Sequence, residues 1–133
     1  MATELWQVYY VVSCRHAKPV PKNKFVVIVG FDENQPLCMF INSKINNFIK
    51  NRPYLLDCQT TITQAKNPFL SYDSYVDCQE AFVFSDGELT DLRGTISEET
   101  IENIFSAVSV CDVIKGKHKA IILSAQTPSE NSE

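Results

Sequence analysis

Glycine is scarce in this sequence, with only four residues in 133. Loops that cradle phosphates need glycines at fixed spacing, and neither G-x-x-x-x-G-K nor G-x-G-x-x-G occurs. The nucleophile-elbow pattern G-x-S-x-G is missing too. These absences argue against a P-loop nucleotide-binding protein, a dinucleotide-binding domain and an α/β-hydrolase.

Long hydrophobic runs are missing as well. No stretch approaches the ~20 apolar residues that a membrane-spanning helix needs. The first residues lack the basic cluster and the small-residue cleavage site of a signal peptide. We therefore expect no membrane association and a cytoplasmic location.

Metal-ligand spacings are not found either. The five cysteines are odd in number and form no C-x-x-C pair, so we expect all of them to be free thiols, mostly in apolar runs. His16 and His118 are each isolated in an expected surface loop. Asp73 and Asp77 are read as solvated turn and edge residues rather than as an acid–base pair. The sequence thus predicts no metal site and no cofactor.

The composition is that of one folded domain. With 44% apolar residues the chain can bury a core, and we expect a single domain over 1–125. Residues 126–133 read as a polar, flexible tail.

The net charge of −4 conceals an asymmetry. Residues 1–72 carry eight Lys and Arg against four Asp and Glu, whereas 73–114 carry one Arg against ten acidic residues. An acidic protein binds nucleic acid poorly overall, but a basic face can still bind a phosphate backbone. The cations that could form such a face are Arg15, Lys18, Lys22, Lys24, Lys44, Lys50 and Arg52.

The hydrophobic pattern is mostly that of β-strands. Leu5–Val12, Phe25–Val29, Leu37–Ile41 and 54–62 have strand composition. Apolar residues on both faces of the first predict that it is covered on both sides, and the second is a continuous run typical of a buried strand. Residues 74–84 form a further strand pair or one bent strand. Residues 32–36 predict a hairpin loop longer than two residues.

One helix is predicted over about 97–114. Ser97 is a good N-cap, acidic residues follow it, and Ile101, Ile104 and Val108 lie on one stripe. Lys115–Lys117 would end this helix, and 120–123 would be a last short strand. Because strands and helices do not alternate, we predict a mainly β protein: a small, strongly bent antiparallel barrel capped by one C-terminal helix.

Three segments resemble the PemK/MazF-like toxin family. Residues 22–29 are similar to its basic loop that leads into an apolar strand, and 58–63 to the strand that ends in the active-site threonine. Residues 73–78 with 92–99 resemble its late strand, bridge and acidic-start helix. The three segments occur in the family's order and extend over about residues 5–115.

This resemblance implies an SH3-like barrel, a homodimer and a metal-independent endoribonuclease that acts on single-stranded RNA and is restrained by an antitoxin protein. In the family an arginine and a threonine act at the scissile phosphate. Here Lys24-Phe25 stands where the family has Arg-Pro, and an Arg-Pro occurs instead at Arg52-Pro53.

The resemblance and the basic segments together give the candidate site residues. The expected catalytic residues are Lys24 or Arg52 with Thr60 or Thr61, and alternation places the two threonines on opposite faces. The expected substrate-binding residues are Arg15, Lys18, Lys22, Asn42, Ser43 and Asn46. Because lysine lacks the bidentate fork of arginine, the alternative is a barrel that binds a protein or nucleic-acid partner without cutting, as a toxin-like regulator or a gyrase-poison type.

Overall fold

The computed structural model describes residues 3–126, which form seven antiparallel strands, four α-helices and one 3₁₀ turn at Asp86–Glu88. The strands are β1 (Gln7–Cys14), β2 (Lys22–Asp32), β3 (Gln35–Asn42), β4 (Gln59–Ile62), β5 (Ser74–Asp77), β6 (Phe82–Val83) and β7 (Leu92–Thr95). The helices are α1 (Asn47–Lys50), α2 (Pro53–Leu56), α3 (Glu98–Val110) and α4 (Gly116–Ser124). The prediction of a mainly β fold is confirmed.

One sheet contains all seven strands, in the order β4-β5-β3-β2-β1-β7, with β6 pairing a second part of β3. Within the part of the chain that the structure describes, the outer strands β4 and β7 do not pair with each other. The sheet is therefore an open, antiparallel one rather than a closed barrel.

Strand β2 is buried, as its continuous apolar run predicted, and its two faces contribute to different cores. Val27 and Val29 join the larger core, against α3 and α4. Val26 and Ile28 point the other way, into a second core that Phe84 helps to form. The two cores hold the sheet between the helices and the segment around β6.

The β2–β3 hairpin corrects one expectation. Strand β2 ends at Asp32 and β3 begins at Gln35, so the loop has two residues, not the longer loop predicted. Glu33 and Asn34 both have positive φ, 53° and 70°, which is the backbone of a two-residue turn that matches the twist of the strands.

Helix α3 begins as predicted but ends early. The Ser97 side chain accepts a hydrogen bond from the Thr100 amide, and Ile104 and Val108 are fully buried. The helix ends at Val110 rather than near 114, because Cys111 has extended backbone and forms a disulfide with Cys58. The expectation of five free thiols is wrong for this pair, while Cys14, Cys38 and Cys78 are free and buried.

The strand predicted at 120–123 is wrong, since these residues lie in α4. Gly116 begins that helix instead of stopping the previous one. His118 and Ile122, four residues apart, are its buried residues, so His118 lies in a helix and not in a surface loop. A short apolar run does not distinguish helix from strand, and here packing against β2 and α3 decides.

The segment 54–62 is also divided. Pro53 starts the one-turn helix α2, as proline favours at a first helical position, and only Gln59–Ile62 form the strand β4. Strands β5 and β6 both pair with β3 and not with each other. Of the expected polar tail, residues 127–133 lie outside the described residues.

No helix in the described range 3–126 has both the length and the apolar composition needed to cross a membrane.

Candidate functional site

An open cleft of about 700 Å³ lies where the ends of β2, β3 and β5 meet the loop before β2. Its volume is within the range of ligand-binding pockets, about 300–1,000 Å³. The lining side chains that carry charge, an amide or an aromatic ring are Tyr10, His16, Lys18, Lys22, Asn23, Lys24, Phe25, Phe40, Asn42, Lys44, Asn46, Gln59, Tyr72, Asp77, Gln79, Glu80 and Phe82.

The charge of this cleft is opposite in sign to that of the whole chain. Four lysines line it against the two carboxylates of Asp77 and Glu80, whereas the chain has a net charge of −4. Folding has thus gathered four of the eight cations of residues 1–72 in one cleft of an acidic protein, and a concave basic surface attracts polyanions.

Lys24 is the most enclosed of these cations. Lys24 comes just before Phe25, which pairs with Ile41, so Lys24 lies opposite Asn42 and the two side chains lie side by side across the β2–β3 ladder. Its ammonium donates a hydrogen bond to the Asn42 Oδ1 and lies 4.8 Å from the centroid of the Phe40 ring. Burial, and next the nearby Lys22, lower the pKa of the Lys24 amine.

Three rings stack along the floor of the cleft. The Phe40 and Phe82 ring centroids are 4.9 Å apart with 26° between the planes, and those of His16 and Phe82 are 4.9 Å apart with 25°. The His16 Nε2 lies 3.1 Å from the Val83 carbonyl oxygen. Burial lowers the pKa of His16, so the imidazole is held in its neutral form and contributes a flat ring rather than a charge.

Asp77 is fixed by two amide side chains. The Gln59 Nε2 donates to Asp77 Oδ1 at 2.8 Å, and the Gln79 Nε2 donates to Asp77 Oδ2 at 3.1 Å. The Gln79 backbone amide donates to the same carboxylate at 3.2 Å. A carboxylate held from two sides keeps its position, and one lone pair of Oδ2 remains for a donor in the cleft.

Strand register explains why Lys24 and Asp77 share a face. Ile41 pairs with Val76, so Asp77 lies opposite Phe40, and Gln59 pairs with Asp77 in the next ladder. The neighbouring row on this face runs from Lys24 through Asn42 and Tyr75 to Thr61. Lys24 and Asp77 therefore belong to adjacent rows of one sheet surface.

The cleft contains six of the ten residues that the sequence singled out. They are Lys18, Lys22, Lys24, Asn42, Ser43 and Asn46. Asn46 is also the N-cap of α1, and its Oδ1 accepts a hydrogen bond from the Ile49 amide, so this side chain orders the loop at the rim. The other four residues do not line the cleft.

The two threonines point to opposite faces, as alternation predicted. Thr60 lies opposite Val76, a fully buried core residue, on the face away from the cleft. Thr61 lies on the cleft face but three strands from Lys24, a separation of about 14 Å from the usual strand spacing. Gln59, two residues before Thr61, is the β4 residue that reaches the cleft.

Both arginines of the prediction are engaged elsewhere. The Arg52 guanidinium lies 3.7 Å from the Phe48 ring centroid and donates to the Phe48 carbonyl at 2.9 Å. Arg15 donates two hydrogen bonds to the Glu88 carboxylate, at 2.7 and 3.1 Å. That contact ties the loop after β1 to the turn after β6, and so positions His16 from outside the cleft.

Sequence reasoning missed Asp77, Gln59, His16, Phe40 and Phe82 as cleft residues. The sequence predicts that Asp73 and Asp77 are solvated, and this holds for Asp73. The Asp73 side chain is exposed outside the cleft, and its Oδ1 accepts a hydrogen bond from the Gln64 backbone amide. The alternation that separates the threonines also places Gln59 beside Thr61, but the β4–β5–β3 pairing that brings it to Asp77 joins residues far apart in sequence.

In the described chain, 3–126, no group of three or more His, Cys, Asp or Glu side chains is placed to hold a metal ion.

Comparison with known proteins gives a likeness in fold and none in sequence. No family model matches the chain, and no curated protein matches it in sequence. A solved structure described as an endoribonuclease in complex with its cognate antitoxin, from a Mycobacterial species, superposes with a TM-score of 0.61 at 15% identity. The match covers 83% of this chain and 94% of that one. The chain therefore shares the fold of an endoribonuclease that an antitoxin binds.

Proposed function

We propose that the cleft binds single-stranded RNA and that the protein is a metal-independent endoribonuclease of the toxin–antitoxin type, similar to the PemK/MazF-like family. The observation that carries the proposal is the Lys24 ammonium, half-buried over an aromatic floor in a basic cleft of an otherwise acidic chain. The likeness in fold to an endoribonuclease supports it.

The cleft offers the two kinds of contact that single-stranded RNA uses. Lys18, Lys22 and Lys44 line its rim, where they can neutralise successive phosphates. The Phe40–Phe82–His16 stack presents partly exposed rings on which unpaired bases can stack. Neither feature needs a fixed nucleotide sequence, so they account for affinity rather than specificity.

Cleavage would use Lys24 and Asp77 on opposite sides of one phosphate. The Asp77 carboxylate takes the proton of the ribose 2′-hydroxyl, whose oxygen forms a bond to the adjacent phosphorus. The bond from phosphorus to the 5′-oxygen breaks, and the Lys24 ammonium stabilises the phosphate oxygens and gives its proton to the leaving oxygen. Burial lowers the pKa of Lys24 and so makes it a better proton donor.

The products of this reaction identify it. Purified protein incubated with labelled single-stranded RNA in the presence of a metal chelator should yield fragments with 2′,3′-cyclic phosphate and 5′-hydroxyl ends. Fragments with 5′-phosphate ends, or cleavage only when a divalent metal is added, would contradict the mechanism. RNA that stays intact after long incubation at high protein concentration would exclude the nuclease.

A second function is favoured by one observation, the absence of any arginine among the described residues (3–126) that line the cleft. Lysine cannot offer the bidentate contact to a phosphate that arginine gives. A protein that keeps the fold but binds RNA or a protein partner without cutting, as a toxin-like regulator or a gyrase poison does, fits this lining. Stable RNA retention without products, or a protein partner captured with no RNA processing, would identify it.

The remaining parts of the proposal are the partners and the location. A cytoplasmic homodimer restrained by an antitoxin protein follows from the resemblance to the family. Co-expression with the product of the neighbouring gene tests this directly: relief of growth arrest and co-purification of the two proteins are expected. Growth arrest that persists with an antitoxin candidate present would oppose that pairing.

A further inference from the structure

A second cavity of about 410 Å³ adjoins the cleft. Gln79 and Glu80 line both, so this two-residue segment is a wall that they share. The other residues that line the second cavity are Tyr54, Leu55, Ala81, Val113, Lys115 and His118. Its volume falls in the range of small-molecule sites, about 300–1,000 Å³, and is thus sufficient for one nucleotide.

The walls of this second cavity leave apolar surface in contact with solvent. The Tyr54 side chain, on the one-turn helix α2, is 53% exposed, and Val113, between α3 and α4, is 41% exposed. Leu55 and Ala81 form buried surface beneath them. An exposed aromatic ring beside an apolar recess is suited to a stacked nucleobase.

A free cation lies at the same place. Lys115 is exposed and forms no ion pair within residues 3–126, whereas Lys117, two residues later in helix α4, is bound to Asp32 at 3.2 Å. Helix α4 begins directly after Lys115, and its first turn contains no acidic residue. The positive end of that helix adds to the lysine charge, so the potential here favours a phosphate.

Glu80 fixes the order of the groups in a bound strand. Its carboxylate lies in the shared wall and is close enough to affect the pKa of both His16, in the cleft, and His118, in the second cavity. A carboxylate repels a phosphate but accepts hydrogen bonds from base amino groups. An RNA strand that crosses this wall would therefore place a base over Glu80. Its phosphates would lie on either side, near the cleft lysines and near Lys115.

We propose that the second cavity is a further nucleotide subsite, so that one RNA strand occupies both cavities, with a base on Tyr54 and a phosphate at Lys115. The inference rests on the proposed RNA binding in the cleft and extends it to a longer ligand. It predicts that affinity increases with RNA length up to the number of nucleotides that reaches Tyr54.

The test compares a short and a longer single-stranded RNA by fluorescence anisotropy. A labelled dinucleotide fills only the cleft, and a labelled hexanucleotide reaches the second cavity. Tyr54→Ala should weaken hexanucleotide binding by about 5- to 100-fold, the usual loss for one stacked base, and leave dinucleotide binding unchanged. Tyr54→Phe, which keeps the ring, should bind as the wild type does.

Charge is tested in the same assay. Lys115→Gln should weaken binding of the hexanucleotide and reduce its salt dependence, while Lys117→Gln, whose ammonium is paired with Asp32, should not. Equal affinity of the wild type for the two RNAs, with no effect of Tyr54→Ala or Lys115→Gln, would overturn the subsite and leave the cleft proposal intact. No binding of either RNA would overturn both.

Discussion

The Lys24 ammonium lies 4.8 Å from the centre of the Phe40 ring and is hydrogen-bonded to Asn42, the residue directly opposite it on β3. Burial disfavours the charged form of Lys24 and lowers its pKa. The Phe40 ring and the Asn42 side-chain amide are the groups that stabilise the ammonium at this position. We propose that this ammonium binds a phosphate in the cleft.

Asp77 is expected to be required for cleavage but not for binding. Asp77→Asn keeps the size of the side chain and an oxygen for the two hydrogen bonds at Oδ1, but its amide nitrogen cannot accept a proton, so the cleavage rate should fall by about 100- to 10,000-fold. RNA affinity should stay within a few-fold of the wild type. Single-turnover cleavage with end-labelled RNA measures the first quantity and anisotropy the second.

Two control variants accompany that experiment. Asp73→Asn removes a carboxylate of the same segment that lies outside the cleft, and Thr61→Val removes the hydroxyl that the family resemblance assigned to catalysis. Both should cleave at close to the wild-type rate. If Thr61→Val lost activity and Asp77→Asn kept it, the role of Asp77 would be wrong and the resemblance would be the better guide.

The Arg15–Glu88 pair should give the stability a defined pH dependence. The hydrogen bond from Arg15 lowers the pKa of Glu88 from 4.5 to about 2. Because the folded-state pKa is the lower one, the contribution is complete above the ordinary pKa and is lost as the pH falls towards the lowered one. The Arg15 side chain is 59% exposed, so the pair contributes at most about 1 kcal/mol.

Urea unfolding of Arg15→Gln measures this contribution. Relative to the wild type, its free energy of unfolding should be lower near neutral pH, and the difference should disappear in strong acid. Lys50→Gln, which removes an exposed cation without an ion pair in the described chain, should show no such pH-dependent difference. If the free energy of unfolding of Arg15→Gln were lower than that of the wild type by the same amount at every pH, lost packing and not the lost charge would be responsible.

The Cys58–Cys111 disulfide should stabilise the protein, since it joins residues 53 apart in sequence. A cross-link of that separation usually contributes about 2–4 kcal/mol. A reductant should therefore lower the melting temperature of the wild type but not that of the Cys58→Ala/Cys111→Ala variant. Thiol titration of the unreduced, denatured protein should detect only Cys14, Cys38 and Cys78; five reactive thiols would show that the bond does not form.

Gly94 should tolerate no side chain. A Cβ atom at this position would lie 2.4 Å from the Phe69 ring, whereas one at Gly87 would meet nothing within 4 Å. Gly94→Ala should lower the free energy of unfolding by about 1–3 kcal/mol through overpacking, and Gly87→Ala should not lower it. Denaturant unfolding of the two variants makes the comparison, and equal effects would show that Phe69 can move aside.

The elements that the sequence predicted well are those with a local physical signal. The length and β-branched residues of the apolar run 25–29 favoured a buried strand, and Ser97 with the stripe of Ile104 and Val108 indicated where α3 begins and which face it buries. Helix α4 was missed because its four apolar residues, 120–123, satisfy a strand pattern equally well and only contact with β2 decides between them.

The cleft was predictable only in part, for a similar reason. Its lysines and asparagines cluster in two short segments that can be recognised along the chain, 18–24 and 42–46. Asp77 and Gln59 reach it through pairing between β3, β5 and β4, which are joined by long segments. The sequence did not predict the two-residue hairpin loop at Glu33 and Asn34, because these positions contain no glycine. Both residues nevertheless have the positive φ that glycine favours.

The most direct test of the central claim is the affinity of a labelled single-stranded RNA for the wild type and for Lys24→Met over a range of salt concentrations. The wild type should bind, and Lys24→Met should bind more weakly with a salt slope smaller by about 0.7, the value for one lost phosphate contact on a single strand. Lys66→Met, which removes a cation paired with Glu99 outside the cleft, should behave as the wild type. Equal affinity and slope for the wild type and Lys24→Met would contradict the account.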